Sequence, residues 1–320
     1  MQNFLDPAIL FFVFGLIAGA LRSNLEIPPA IARFLSLYLL MSLGLKGGFA
    51  LAKSGLTTEV AVSLGCAVTL AVVVPAIGYA LLVRRLSRFD AAAIAATYGS
   101  VSAVTFITAV QYLETHGTPY GGHMAAAMAL MESPAIVMAV VFANMARRRE
   151  GATPTGAPQG VGTILHESFT DGAQLLLLGA MAVGLLTGES GQKAMQPFSG
   201  DLFRGMLAFF LLDMGLVASR NFGALKGKPS WLLAYALGGP LVHATLAFAL
   251  AALAGLSVGN ATLLMVLAAS ASYIAVPAVV REAIPEANPS LYFGMSLGIT
   301  FPFNILVGIP LYASVAQRLA

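Results

Sequence analysis

Ten runs of apolar residues, each long enough or nearly long enough to cross a bilayer, follow one another along this chain, and two of them are interrupted at the same depth. The runs lie at about 8–21, 29–51, 59–83, 90–113, 121–145, 164–187, 202–220, 231–254, 260–283 and 290–315. The interrupted pair is Ala96–Gln111 (ATYGSVSAVTFITAVQ) and Val266–Arg281 (VLAASASYIAVPAVVR). Each begins as an apolar helix, crosses small and hydroxyl residues at the expected bilayer midplane, and resumes as a helix. Gly99-Ser100-Val101-Ser102 in one aligns with Ala269-Ser270-Ala271-Ser272 in the other. Lipid cannot satisfy the backbone groups that such a break exposes, so the break must line a cavity or be buried in protein. Only 10% of the residues are charged and 58% are hydrophobic, with mean hydropathy +0.85. A soluble chain carries about a quarter charged residues. The bilayer is therefore the solvent in which this chain folds.

An N-out start places Arg22, Arg33, Arg84, Arg85, Arg88, Arg147, Arg148, Arg149, Arg220, Lys226, Lys228 and Arg281 in loops on one side. The other side holds only Lys53, Lys193, Arg204 and Arg318, with Lys46 left inside a helix. The excess of positive charge marks the cytoplasmic face, so both termini of the multi-pass chain are expected outside. The same distribution explains the basic pI near 9.1 without nucleic acid. Asp6 and Pro7 stand where a cleaved signal would be basic, so the first run is read as a retained helix. Cys66 is the only cysteine, which excludes an intrachain disulfide.

One stretch reads as a linker, residues 147–162, where Gly, Pro and Thr erase the apolar period. It separates residues 1–146 from residues 163–320, five runs each. Further matches accompany the breaks: Arg33-Phe34-Leu35 with Arg204-Gly205-Met206, Met41–Leu45 with Leu212–Leu216, Pro119 with Pro289, and Ser133-Pro134 with Phe301-Pro302. Their order and near-constant offset predict an all-α membrane protein of ten transmembrane helices in two five-helix repeats with broken fourth and ninth helices. Because each half has an odd number of runs, the second copy is inverted.

At each break the N–H groups near Ser102–Thr105 and Ser272–Ala275 offer an anion site with the positive end of a helix dipole. Unwound carbonyls beside them suit a hard cation such as Na⁺. Gly99, Ser100, Ser102, Thr105, Ser270, Ser272 and Tyr273 are the candidate substrate-binding residues, with hydroxyls able to donate and accept. Glu132 sits in an otherwise uncharged run, AMALMESPAIVMAVV, where an acid is costly. With Tyr98 and Tyr273 it forms the candidate ion-coupling set, and Pro134 could free carbonyls beside it. Asp213, in FFLLDMGLV, invites the same argument, with Lys46 as a nearby partner, and His243 reads as a hydrogen-bonded packing residue. No HExxH or P-loop is present, so no enzyme, cofactor or nucleotide drive is expected.

Gly44-Leu45-Lys46-Gly47-Gly48, Tyr98–Thr105 (YGSVSAVT), Met131-Glu132-Ser133-Pro134, Val141–Asn144 (VFAN) and Ala283–Ser290 (AIPEANPS) make the chain resemble the sodium-dependent bicarbonate transporter family known from cyanobacteria. The resemblance implies a core domain carrying the broken helices, a gate domain, elevator-like motion and a homotrimer. It also implies Na⁺-coupled bicarbonate uptake and a PII-like regulatory protein at the cytoplasmic face. Tyr273 stands where such transporters carry an aspartate, and Ala103 and Val104 replace small residues after Ser102. The alternatives are an H⁺- or Na⁺-coupled carboxylate transporter on the same fold, an anion channel, or an intramembrane enzyme. The topology is testable at the ends of the chain. Single cysteines introduced near each terminus should react with an impermeant thiol reagent from the face opposite the Arg84–Arg88 loop, and reaction of either from that loop's face would overturn the inverted-repeat reading.

Overall fold

A computed structural model describes residues 6–149, 172–225 and 227–320, and every regular element among them is helical. The expected linker falls largely outside the described residues. Its first three positions belong to a helix that runs on to Arg149. The elements are α1 (Pro7–Ala20), α2 (Pro29–Ser54), α3 (Thr58–Leu82), α4 (Arg88–Gly99), α5 (Ala103–Thr115), α6 (Met124–Arg149), α7 (Gly172–Met195), α8 (Phe203–Asn221), α9 (Ser230–Ala254), α10 (Val258–Ala269) and α11 (Ala275–Ala283). A last rod comprises α12 (Pro289–Met295), α13 (Phe301–Phe303) and α14 (Ile309–Ala316), joined by wide π turns at Ser296–Thr300 and Asn304–Gly308.

Among the described residues, seven helical stretches are long and apolar enough to cross a membrane by length and composition. One of them, Gly172–Asn221, contains both α7 and α8, while α1 and α10 are shorter apolar helices. A 14-residue helix such as α1 rises only about 21 Å, less than the hydrocarbon thickness of about 30 Å.

Helix starts follow local chemistry. Asp6 Oδ1 accepts from Ala8 N at 2.8 Å with Pro7 in the first position of α1. Ser87 Oγ accepts from Asp90 N at 3.0 Å to open α4, and Asn288 Oδ1 accepts from Ser290 N ahead of Pro289. Pro75, Pro134 and Pro240 lie inside α3, α6 and α9. Each removes a donor and leaves the carbonyl four residues earlier without its helical partner.

The helices sort into two bodies. In the first, α1 packs on α8 and α2 on α7. Gly15 faces Gly215, and Gly44 and Gly48 face the Leu177–Gly184 stretch, so closely that an added Cβ would strike opposing backbone carbonyls. Apolar side chains gain nothing by leaving lipid for each other, so close backbone approach through small residues supplies the attraction. In the second body α3, α4 and α6 pack together, α9 packs on α10, and the last rod lies against α10.

Paired ties hold the ends of the broken helices. Asp90 Oδ1 at the start of α4 accepts from Asn288 N at 2.7 Å, and Asn260 Oδ1 at the start of α10 accepts from Gly121 N at 2.7 Å. The far end of α5 and the start of α10 therefore share one face of the molecule, and the start of α4 shares the other with the end of α11. On that second face Arg147 donates to Glu286 at 3.0 and 2.9 Å and to the Ala283 carbonyl at 2.8 Å. These hydrogen bonds hold the Glu286 carboxyl below its ordinary pKa. The pair therefore stabilises the fold above the usual carboxylate range and loses its contribution as pH falls through the folded value.

The glycine contacts generate a within-helix comparison. Gly184→Leu should lower the thermal midpoint of the detergent-solubilised protein, an overpacking cost of about 1–3 kcal/mol or more. Gly179→Leu, on the same α7 with nothing near its missing Cβ, should leave that midpoint in place.

Candidate functional site

α4 ends at Gly99, and Ser100 leaves the helix in extended conformation (φ −95°, ψ −175°). Ser102, also extended (φ −104°, ψ 109°), caps α5. α10 ends at Ala269, Ser270 is extended (φ −80°, ψ 165°), and α11 begins only at Ala275. The two breaks satisfy each other. Ser102 N donates to Ser270 Oγ at 3.0 Å, and Ser272 N donates to the Thr97 carbonyl at 2.8 Å. Ser270 Oγ in turn donates to the Leu267 carbonyl at 2.9 Å, and Asn304 Nδ2 caps the Ala269 carbonyl at 2.9 Å. The carbonyls of Thr97, Leu267 and Ala269, at the broken ends of α4 and α10, are thus each engaged in a hydrogen bond.

Ser102 Oγ accepts twice, from Thr105 N at 3.2 Å and from Thr105 Oγ1 at 2.9 Å. With both lone pairs occupied, its proton remains to be donated. The Tyr273 hydroxyl lies within hydrogen-bonding reach of Ser102 and donates to Met214 Sδ at 3.7 Å. Ser272 Oγ accepts from Val276 N at 3.3 Å at the start of α11. The site is therefore rich in oriented O–H donors and first-turn N–H groups, the equipment for holding a small anion.

A cavity of about 310 Å³ opens at the breaks, walled by α2, α6, α7 and α8. Ser102, Ser272, Tyr273 and Glu132 line it together. The other expected residues do not. Gly99 is pressed against the Pro75 ring, which leaves no room for a Cβ. Ser100 is buried behind the break with its Oγ unpartnered among the described residues. Thr105 and Ser270 act through Ser102 as hydrogen-bond partners. Tyr98 turns into the opposite packing layer, where its hydroxyl meets Thr300 Oγ1 at 2.6 Å and its ring stands edge-on to Tyr235.

Glu132 receives a hydrogen bond from Gln174 Nε2 at 2.6 Å, and both side chains face the cavity. Gln174 escaped the sequence reading, although a lone amide in the run GAQLLLLGAM carried the same signal that singled out Glu132. Lys46 is not the partner of Asp213. It pairs with Glu114 at 3.1 Å on α5 and stands 4.0 Å over the Phe203 ring. Asp213 is buried on α8 within electrostatic reach of Arg220 and Tyr273. His243 is buried 6.4 Å from the Tyr98 ring, with a hydrogen bond to the Ala268 backbone and Nδ1 unpartnered among the described residues.

Compared with models of known families, residues 7–317 match the one described as the Na⁺-dependent bicarbonate transporter superfamily, nearly the whole chain. No protein with a curated description matches.

The hydroxyl geometry separates the serines. Ser102→Ala and Ser272→Ala each remove a donor worth about 1 kcal/mol and should weaken transport affinity several-fold with expression unchanged. Ser100→Ala removes an unpartnered buried hydroxyl and should leave affinity where it was. Equal effects for all three in uptake titrations would detach the donors from the substrate.

Proposed function

The chain belongs to the Na⁺-dependent bicarbonate transporter superfamily, and we propose that it couples the inward Na⁺ gradient to uptake of bicarbonate or a similar small anion by alternating access. As a member of a transporter superfamily it is not an enzyme. In this reading the chain crosses the membrane ten times as two inverted halves, with both termini outside. The paired ties support that arrangement: Asp90 to Asn288 and Asn260 to Gly121 are the same hydrogen bond made once in each half, with the halves exchanged. So does the reciprocal packing of α1 on α8 and α2 on α7.

The observation that carries the function is the meeting of the two breaks at the head of a cavity that also holds Glu132. The anion receives the Ser102 and Ser272 hydroxyls and the N–H groups of Ala103 and Val104 in α5 and of Ala275 in α11. Among the described residues, Glu132 is the sole carboxylate on that cavity's wall. An anion entering beside it is repelled unless a positive charge lies between them, so an empty site disfavours the anion and a Na⁺-loaded site admits it. Coupling follows from this charge order. The Na⁺ ligands in this reading are Glu132, the carbonyl left partnerless by Pro134, and Tyr273, which occupies the position of the family's aspartate. The body holding the broken helices moves against the body of α1, α2, α7 and α8 within a homotrimer, and a PII-like protein at the cytoplasmic face is the expected regulator.

One observation favours a second substrate class. The cavity is larger than a three-oxygen anion requires and is walled mostly by apolar side chains, among them Leu39, Leu40, Ile107, Met128, Ile136 and Phe210. A short carboxylate with an apolar tail would bury that tail against these residues.

Uptake of labelled bicarbonate by the purified protein in vesicles, with and without a Na⁺ gradient, tests the reading. Na⁺-driven accumulation is expected, and Glu132→Gln should raise the Na⁺ concentration for half-maximal uptake about tenfold, equivalent to about 1.4 kcal/mol. Accumulation driven by a pH gradient and indifferent to Na⁺ would overturn the coupling. Na⁺-driven uptake of a carboxylate with bicarbonate excluded would select the second substrate.

A further inference from the structure

A second cavity, of about 490 Å³, lies toward the opposite face, the one that carries the far end of α5. Thr108 and Thr115 of α5, Arg204 and Leu207 of α8, Leu306 of the last rod and the start of α1 form its walls. It answers to the first cavity position by position. Thr108 corresponds to Ala278, Leu306 to Ile136, Leu207 to Ser36 and Ala8 to Leu177, each pair separated by nearly the offset that relates Ser102 to Ser270, 168 residues. In every pair one member lines one cavity and its mate lines the other. The same recess occurs twice, each copy walled by both halves with their roles exchanged.

The two recesses differ in depth. The first reaches Ser102 and Ser272, whereas the second stops at Thr108, about 9 Å along α5 from Ser102 at 1.5 Å per residue. Three buried rings stand in the interval. Phe301 lies edge-on to Phe12 of α1, with centroids 5.5 Å apart, and edge-on to Tyr273 at the break, 5.2 Å away. Phe12 belongs to the body of α1, α2, α7 and α8, while Phe301 and Tyr273 belong to the other. Relative movement of the bodies would therefore part Phe12 from Phe301. The Lys46–Glu114 ion pair between α2 and α5 joins the same two bodies on the same side, closing that face in this conformation.

We infer that the second cavity is the outer vestibule of the transport path, an anion-collecting recess closed from the substrate site by the Phe12–Phe301–Tyr273 rings. The inference rests on the transporter reading above and adds the route and its barrier. Charge supports the ligand class: Arg204 is exposed on the vestibule wall with no carboxylate partner among the described residues, while the neighbouring Asp6 carboxylate is turned into the cap of α1. A closed outer recess with an open inner one makes this the inward-open state of the cycle.

Accessibility in sealed vesicles tests both parts. In a Cys66→Ser background, Thr108→Cys and Ala278→Cys should react with an impermeant thiol reagent from opposite faces, and Leu306→Cys should behave like Thr108→Cys. Reaction of Thr108→Cys and Ala278→Cys from one face, or none at Thr108→Cys, would overturn the vestibule. Phe301→Ala should make Ser102→Cys react from the Thr108 face about tenfold faster or more, and Phe301→Leu, closer in volume, should act in the same direction. An unchanged rate in both would remove the rings as the barrier. These readouts do not depend on which anion is carried. Opposite-face labelling in a protein that fails to accumulate bicarbonate leaves the vestibule standing and the substrate reading fallen, and same-face labelling in a bicarbonate-accumulating protein does the reverse.

Discussion

Two backbone N–H groups, those of Ser102 and Ser272, govern the architecture. A helix broken in hydrocarbon leaves amides and carbonyls that no lipid can satisfy, each at a cost of several kcal/mol. Here each break repairs the other: Ser102 N–H is taken by Ser270 Oγ and Ser272 N–H by the Thr97 carbonyl. Neither broken helix is tolerable alone. The second half of the chain supplies what the first half lacks, so each break depends on the other. Once the crossing exists, its unspent donors must point somewhere, and the surrounding helices leave them a cavity.

That cavity combines donors with a single carboxylate, an awkward mixture for an anion. The hydroxyl of Ser102, its lone pairs filled by Thr105, is a committed donor, while Glu132, braced by Gln174, carries the opposite preference. In the proposed coupling, a site that repels its substrate until a cation arrives makes binding conditional on that cation.

Much of this was legible in the residues. The breaks were, because Gly-Ser-Val-Ser and Ala-Ser-Ala-Ser interrupt apolar runs at matching depths, and Glu132 was, because an acid has no innocent place in such a run. Rotation about the helix axis was not. Position along an apolar run is linear in sequence, which is why Tyr98, Ser100, Ser102, Ser270 and Ser272 group together in the residues alone. Which of them faces the cavity depends on the φ and ψ of three extended residues, and those angles turn Tyr98 and Ser100 away while turning Ser102 inward. Lys46 shows the same limit. Its charge advertised a partner, yet the choice of Glu114 over Asp213 was made by the packing of α2 on α5, which no local pattern records.

The contacts of Gly15 with Gly215 and of Gly44 and Gly48 with α7 carry a mechanical consequence. Where two helices meet through side chains, rotamers can adjust and the interface yields gradually as the axes part. Where backbone meets backbone there is nothing to rearrange: dispersion falls steeply with separation, and a fraction of an ångström forfeits much of the attraction. Such a body has one docking distance and almost no compliance. It can serve as a fixed rail because it cannot accommodate, and whatever flexibility the protein uses must be found elsewhere, in the wide π turns of the last rod and at the breaks themselves.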